Sequence, residues 1–187
     1  MNELTDPDYV LCKDLCCDSS VDIEVDLSHF NKIVILSAKV SERLFDQEIP
    51  IKSFSYNHLE LVSLFSRSTT LFIIINDGSF PGFIFATIRS IIDKINPKEI
   101  DIFTASSAAS TDPIFVDGVL LNEQHENSVF CWSNDPVNHA ISSGNLPFIA
   151  SFGPVIYSLY TKISVKVFCE LFHENPFILK DQIIKLL

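Results

Sequence analysis

The stretch from Leu71 to Thr104 constrains the fold more than any other part of this chain. Leu71-Phe72-Ile73-Ile74-Ile75 is a continuous apolar run of β-prone residues, which suits a strand buried on both faces. Asn76-Asp77-Gly78-Ser79-Phe80-Pro81-Gly82 then turns the chain, and Pro81 fits the first turn of a helix. Ile84, Ile88, Ile91, Ile92 and Ile95 recur at helical spacing and form one apolar stripe over 83–95. Asn96-Pro97 stops that helix, and Ile100 to Thr104 is a second strand. Strand, helix, strand in this order is a βαβ unit, which implies parallel pairing and a right-handed crossover. A parallel sheet needs both faces covered, so the rest of the chain must supply helices to each side.

The remaining segments extend this pattern. Val21 to Leu27 alternates four apolar residues with Asp22, Glu24 and Asp26, the pattern of a half-exposed edge strand. Lys32 to Leu36 reads as a buried strand, and Ile49 to Phe54 as a short one. Asn57 to Ser66 places Leu59, Leu61, Val62, Leu64 and Phe65 at mostly helical spacing. Ile114 to Leu121 holds Asp117-Gly118 between two β-prone runs, a hairpin signal with a type I′ turn. Ser128 to Trp132 and Pro147 to Phe152 read as strands, and Asp135-Pro136 opens a short helix toward Ser142. Val165, Phe168, Cys169 and Phe172 give 164–172 a helical face, Asn175-Pro176 breaks it, and a last amphipathic helix runs to Leu187. The expected fold class is α/β: a single domain with a mixed, mostly parallel sheet, helices on both faces and a protruding β-hairpin.

Charge divides the chain unevenly. Residues 1–26 hold eight acids and one lysine, a net of −7, out of −11 for all 187 residues. Residues 1–20 are therefore expected to form an acidic, loosely ordered arm, and 21–187 one α/β domain. A chain this acidic should not bind a polyanion over a broad face, which argues against nucleic acid and anionic membrane. With 47% hydrophobic residues, 16 of them Phe among the aromatics and aliphatics, there is ample apolar surface to offset ordering entropy. The opening Met-Asn-Glu-Leu-Thr-Asp-Pro-Asp has neither the basic start nor the apolar stretch of a signal peptide. Ala140 to Thr161 carries no charged residue, but Gly144, Pro147, Gly153, Pro154 and four serines interrupt it, so membrane insertion is not expected. Five cysteines without a secretory signal suit reduced thiols in the cytoplasm, or also the nucleus.

No constellation identifies an activity. Cys12, Cys16 and Cys17 lie close together but lack the fourth ligand of a closed zinc site. The turn Asn76–Gly82 occupies the place where α/β folds bind phosphate, yet it has no lysine and carries Asp77, which repels an anion. Ser106, Ser107 or Ser110 with His139 and Asp135 could form a hydrolase triad, but no G-x-S-x-G elbow surrounds them. Cys131 with His125 or His139 could form a thiol pair, though Cys131 sits between Phe130 and Trp132 in an apolar strand. His29, His58 and His173 form no set. The sequence thus assigns no catalytic, cofactor-binding or metal residue, and an α/β core of this kind points to an interaction protein.

Two regions, Lys98 to Ala105 and Asp135 to Glu174, resemble the proteasome assembly chaperone 1 family. Glu99-Ile100-Asp101-Ile102-Phe103-Thr104 looks like that family's strand after its central helix, followed by a polar loop. Val137 to Ser142 leads through Leu146-Pro147 into the apolar run Phe148 to Phe152, in the family's order. Ile163 to Phe172 is similar to its late helix, and Leu71 to Ile95 fits its strand–helix pair. The resemblance implies a non-catalytic chaperone without cofactors. Such a protein pairs with a proteasome assembly chaperone 2-like subunit and holds 20S α-subunits while the α-ring forms. The family's C-terminal hydrophobic-Tyr-any tail is not matched, because this chain ends Ile183-Ile184-Lys185-Leu186-Leu187. Residues 177–187 are expected instead to dock as an amphipathic helix, with Phe177, Ile178, Ile184 and Leu187 inward and Leu179, Ile183 and Leu186 widening the apolar side. Other readings of the same α/β core are a small hydrolase or nucleoside-processing enzyme built on the 76–82 or 106–110 loops, and a trafficking adaptor using the Val21–Leu27 edge.

Overall fold

The computed structural model describes residues 21–107, 115–116, 119–120, 129–133, 152–172, 178–185 and 187. Its centre is a seven-stranded sheet in the order β2-β3-β4-β1-β5-β9-β8. The strands are β1 (Lys32–Ser37), β2 (Lys52–Tyr56), β3 (Leu59–Arg67), β4 (Thr70–Ile75), β5 (Glu99–Ser107), β8 (Val129–Ser133) and β9 (Ser164–Phe172). β4, β1, β5 and β9 pair in parallel, while β2–β3, β3–β4 and β8–β9 are antiparallel. Only β3 and β8 therefore run against the other five. A separate two-stranded hairpin, β6 (Phe115–Val116) with β7 (Val119–Leu120), stands where the Asp-Gly signal places it.

Helices cover both faces. On one face α2 (Pro81–Ile95) lays Ile84, Ile88, Ile91, Ile92 and Ile95 on Ile33, Ile35, Ile73, Ile100 and Ile102. Burial of each such side chain contributes about 1.5–3 kcal/mol, enough to hold the helix without other anchors. Asn96 closes α2 in the left-handed conformation, its N–H donating to the Ile92 carbonyl at 2.7 Å. Beside α2, α3 (Phe152–Leu159) adds Phe152 and Ile156 to the same cluster. On the other face Val34, Leu36, Phe72, Ile74 and Phe103 are covered by α1 (Ala38–Ser41), Phe45 and α4 (Ile178–Ile184).

Four segments differ from their sequence expectations. Leu59–Arg67 is a strand, entered from β2 through Asn57 and His58 at φ 49° and 66°, the positive values a two-residue hairpin turn needs. Its Val62, Leu64 and partners face one side and Ser63 and Phe65 the other, a two-residue period that the apolar density of the segment hides. Ser164–Phe172 is also a strand, inserted between β5 and β8; its β-branched Val165 and Val167 suit that state, and Cys169 continues their alternation. Val21–Leu27 forms no strand. Its alternation is kept as burial instead: Ile23 and Leu27 enter the α2-side core while Asp22, Glu24 and Asp26 stay exposed. Val21 N–H donates to Ser90 Oγ at 3.0 Å, and Lys94 Nζ donates to the Ile23 carbonyl, so α2 holds this segment in place of a sheet edge. Phe152 opens α3 and does not end a strand.

The βαβ unit is also modified. β4 and β5 run parallel, but β1 lies between them and pairs with each. The C-terminal helix docks as expected with a different face inward. Leu179 and Ile183, four apart, are buried, whereas Ile184 and Leu187 are exposed. The polar arm at 1–20, the 135–142 helix and the 147–151 part of the expected strand lie outside the described residues. No described helix is long and apolar enough to cross a membrane.

Candidate functional site

The C-terminal ends of the parallel strands are where open α/β sheets place their ligands. Here the end of β4 forms a crest with a different chemistry on each side. On the α2 side, the β2–β3 turn lifts Tyr56 and Leu59 beside Phe80, the residue preceding α2. All three are well exposed, at 44%, 44% and 38%. The Tyr56 ring lies 5.0 Å from that of Phe80 and 5.1 Å from that of Phe83. Phe80 is held at φ 60° and ψ 58°, a left-handed conformation that costs a residue with a Cβ about 1–2 kcal/mol.

On the other side lies a cavity of about 310 Å³. Phe45, Phe65 and Ile74 form apolar wall, and Glu42, Asp46 and Glu60 bring carboxylates to it. Asn76 ties the two sides together. Its Nδ2 donates to Ser63 Oγ at 2.7 Å and to Glu60 Oε1 at 3.2 Å, and Ser63 Oγ donates to the same carboxylate at 2.6 Å. The next residue, Asp77, accepts the Ser79 N–H at 2.6 Å, and these bonds to Ser79 hold its carboxyl below the usual range. The turn therefore presents an ionised acid at the place where a phosphate site would need donors.

A second polar group sits at the opposite end of the sheet. Lys32 Nζ meets Asp101 Oδ2 at 2.6 Å and Glu99 Oε1 at 3.5 Å, and Lys166 Nζ meets Glu99 Oε1 at 3.0 Å. Burial pushes the Asp101 carboxyl up despite Lys32, and its Oδ1 has no hydrogen-bond partner among the described residues. Burial also acts against ionised Glu99, but the bond from Lys166 and the charge of Lys32 outweigh it and bring its pKa down. The arrangement ties β1, β5 and β9 together across the sheet. It lies away from the strand ends that carry the crest.

Among the described residues the sequence candidates lie on separate elements. His29 and His58 are exposed on separate turns, and Ser106 and Ser107 end β5. Cys131 lies on β8 opposite Phe168. Cys12, Cys16, Cys17, Ser110, His125, Asp135, His139 and His173 lie outside the described residues. Among the described residues no three His, Cys, Asp or Glu side chains are grouped to hold a metal ion. Cys169, central in β9, is buried, and that burial drives its thiol pKa upward, which suits core packing and not nucleophilic work. The adaptor reading loses its motivating feature, since the free edge beside the crest is β2 and not 21–27. The crest itself was missed in the sequence. Its one local signal is an aromatic residue directly before Pro81 in an otherwise polar turn.

This geometry defines a class first: a mixed α/β sheet covered on both faces, with a presented apolar and acidic crest. Solved structures share that fold. A protein of unknown function from Thermoplasma acidophilum matches with a TM-score of 0.54 and 14% identity, over 88% of this chain and 78% of its own. Pyrococcus furiosus PbaA, an archaeal homolog of proteasome-assembly chaperone, matches with a TM-score of 0.52 and 10% identity, over 85% of this chain and 80% of its own. Its monoclinic crystal form gives 0.53 and 9%, over 84% and 76%. No protein-family model and no curated protein matches the sequence.

Proposed function

We propose that this chain is a non-catalytic chaperone of proteasome assembly, working as half of a heterodimer that holds 20S α-subunits while the α-ring forms. The observation that carries the reading is the shared fold with PbaA, at a TM-score of 0.52 across 85% of the chain. The resemblance of 98–105 to the proteasome assembly chaperone 1 family, whose expected strand is β5 here, supports it, whereas the late helix that the resemblance implied over 163–172 is strand β9. So does the crest, whose exposed aromatics suit contact with another protein better than chemistry on a small molecule. The reading places the protein in the cytoplasm and nucleus, with residues 21–187 as its one folded domain and 1–20 as an arm.

The test is purification of the tagged full-length chain under gentle lysis, followed by mass spectrometry of what remains bound. Proteasome α-subunits and a second α/β chaperone are expected in stoichiometric amounts. Their absence, with the tagged chain folded and soluble, overturns the proposal.

A further inference from the structure

The crest has a composition that narrows what can bind there. Its apolar side is Tyr56, Leu59 and Phe80, all exposed, with the Tyr56 and Phe80 rings edge to face. Its polar side is the 310 Å³ cavity, with Phe45 and Phe65 as wall and Glu42, Asp46 and Glu60 as acids. Asp77 adds a fourth carboxylate on the crest line; Glu42 pairs with Lys180 at 3.9 Å, and no lysine or arginine among the described residues lines the cavity itself. Leu59 and Glu60 are consecutive on β3, so one step along the chain passes from the apolar patch to the acidic cavity.

Charge complementarity selects the occupant. The carboxylates of Asp46, Glu60 and Asp77 repel a phosphate or another anion. A second copy of this chain, with its net charge of −11, would bring like charge onto like. A lysine or arginine fits both parts of the cavity: its aliphatic stem packs on Phe45 and Phe65 while its head reaches Glu60 and Asp46. We propose that the crest receives an extended segment of a partner protein in which basic and apolar side chains lie within a few residues of one another. The basic residue enters the cavity and the apolar one caps Tyr56 and Phe80. The inference stands without the chaperone reading, because peptide binding and α-subunit capture can succeed or fail separately.

The probe is a fluorescein-labelled heptapeptide alternating leucine and lysine, titrated with the full-length chain by fluorescence anisotropy at low salt. Peptides with glutamate for lysine, or serine for leucine, serve as controls. The leucine–lysine peptide is expected to bind at least about tenfold more tightly than either control, since each exposed charge pair contributes a few-fold and a buried apolar anchor about tenfold. Glu60→Gln with Asp46→Asn should weaken it by about three- to tenfold. Asp22→Asn with Asp26→Asn, which removes the same charge from exposed acids on the segment before β1, should leave it unchanged. Phe80→Gly should weaken binding by about tenfold while leaving the melting temperature unchanged or higher, because glycine accepts the left-handed conformation freely. That variant separates lost contact from lost folding. Equal binding of the glutamate peptide, equal effects of the near and distant acid pairs, or wild-type binding by Phe80→Gly would each overturn the proposal. So would sedimentation showing that Phe80→Gly dissociates a dimer of this chain, since the patch would then be a self-interface.

Discussion

Lys32→Met isolates the electrostatic arrangement at the start of the parallel strands. The substitution keeps much of the side chain's volume and removes the cation that meets Asp101 Oδ2 at 2.6 Å. Breaking a fully buried pair by deleting one partner costs about 3–5 kcal/mol. Lys32 retains 23% side-chain exposure, so solvent screens part of that interaction and the expected loss at pH 7.5 is about 2–4 kcal/mol. The pH dependence gives a sharper test. Burial raises the folded-state pKa of Asp101 above its ordinary value. The native state therefore binds the proton more tightly than the unfolded chain does. Stability from this group is full below the unfolded pKa and is lost as pH rises through the folded one. Without Lys32 the folded pKa moves higher still, so the loss begins at the same unfolded pKa and continues further toward neutral pH before it levels off. The deficit of Lys32→Met relative to wild type should thus shrink on acidification, by up to about 1.4 kcal/mol per pH unit between the new folded pKa and the wild-type one. Glu99 acts in the opposite sense. Its lowered pKa gives stability that is present above the unfolded value and lost as pH falls through the folded one, which is why a comparison with wild type at each pH is needed.

The assay is urea unfolding followed by tryptophan fluorescence and circular dichroism at half-unit steps from pH 7.5 to 5.5, above the sequence pI of 4.7. Lys32→Met/Asp101→Leu should recover most of the lost stability, because it removes the buried charge together with its partner. A single-variant deficit under about 1 kcal/mol at pH 7.5, or one that stays constant with pH, would show that Asp101 does not depend on Lys32.

The C-terminal helix should depend on one face only: Ile183→Ala is expected to cost about 2–4 kcal/mol, and Ile184→Ala under about 0.5, measured by urea unfolding. Glu170 is buried on β9 and its Oε2 accepts the Leu179 N–H at 2.8 Å, so Glu170→Ala should cost about 1–3 kcal/mol and speed hydrogen exchange at Leu179. Cys169 should resist iodoacetamide in the folded chain and react in urea, as followed by mass spectrometry of the peptide containing it; rapid native labelling would contradict its buried, raised-pKa setting.

The central frame was legible because its signals are redundant. Leu71 to Ile75 is too apolar for anything but a core strand, and the isoleucine stripe of α2 falls between a proline start and an Asn-Pro stop. The segments misread were those whose apolar residues satisfy both periods. In 164–172, Val165, Phe168, Cys169 and Phe172 fit a helix, while Val165, Val167 and Cys169 fit a strand. Only the neighbouring β5 and β8, with backbone groups to pair, decide between them. The order of the sheet was hidden for the same reason. Nothing between 71 and 104 announces that β1, forty residues earlier, will lie between its two strands, because that choice is made by tertiary pairing.

The crest was less legible than the frame because it is assembled from four stretches that have no local relation. Phe45 comes from the loop after α1, Tyr56 and Leu59 from a hairpin, Ser63 and Phe65 from the middle of β3, and Asn76 to Phe80 from the turn before α2. Each has an ordinary explanation when taken alone: a loop aromatic, a hairpin flank, a strand residue, a turn. Their conjunction follows from the antiparallel return of β3 along β4, which brings Val62 opposite Ile75 and therefore sets Leu59 and Glu60 beyond the β4 end, next to Asn76. The same return explains why the turn before α2 cannot work as a phosphate loop. The hairpin crowds it with aromatic rings on one side and its own carboxylate faces outward on the other. A position that elsewhere in α/β folds favours anions is here remade, by one added hairpin, into a surface suited to a basic and apolar partner.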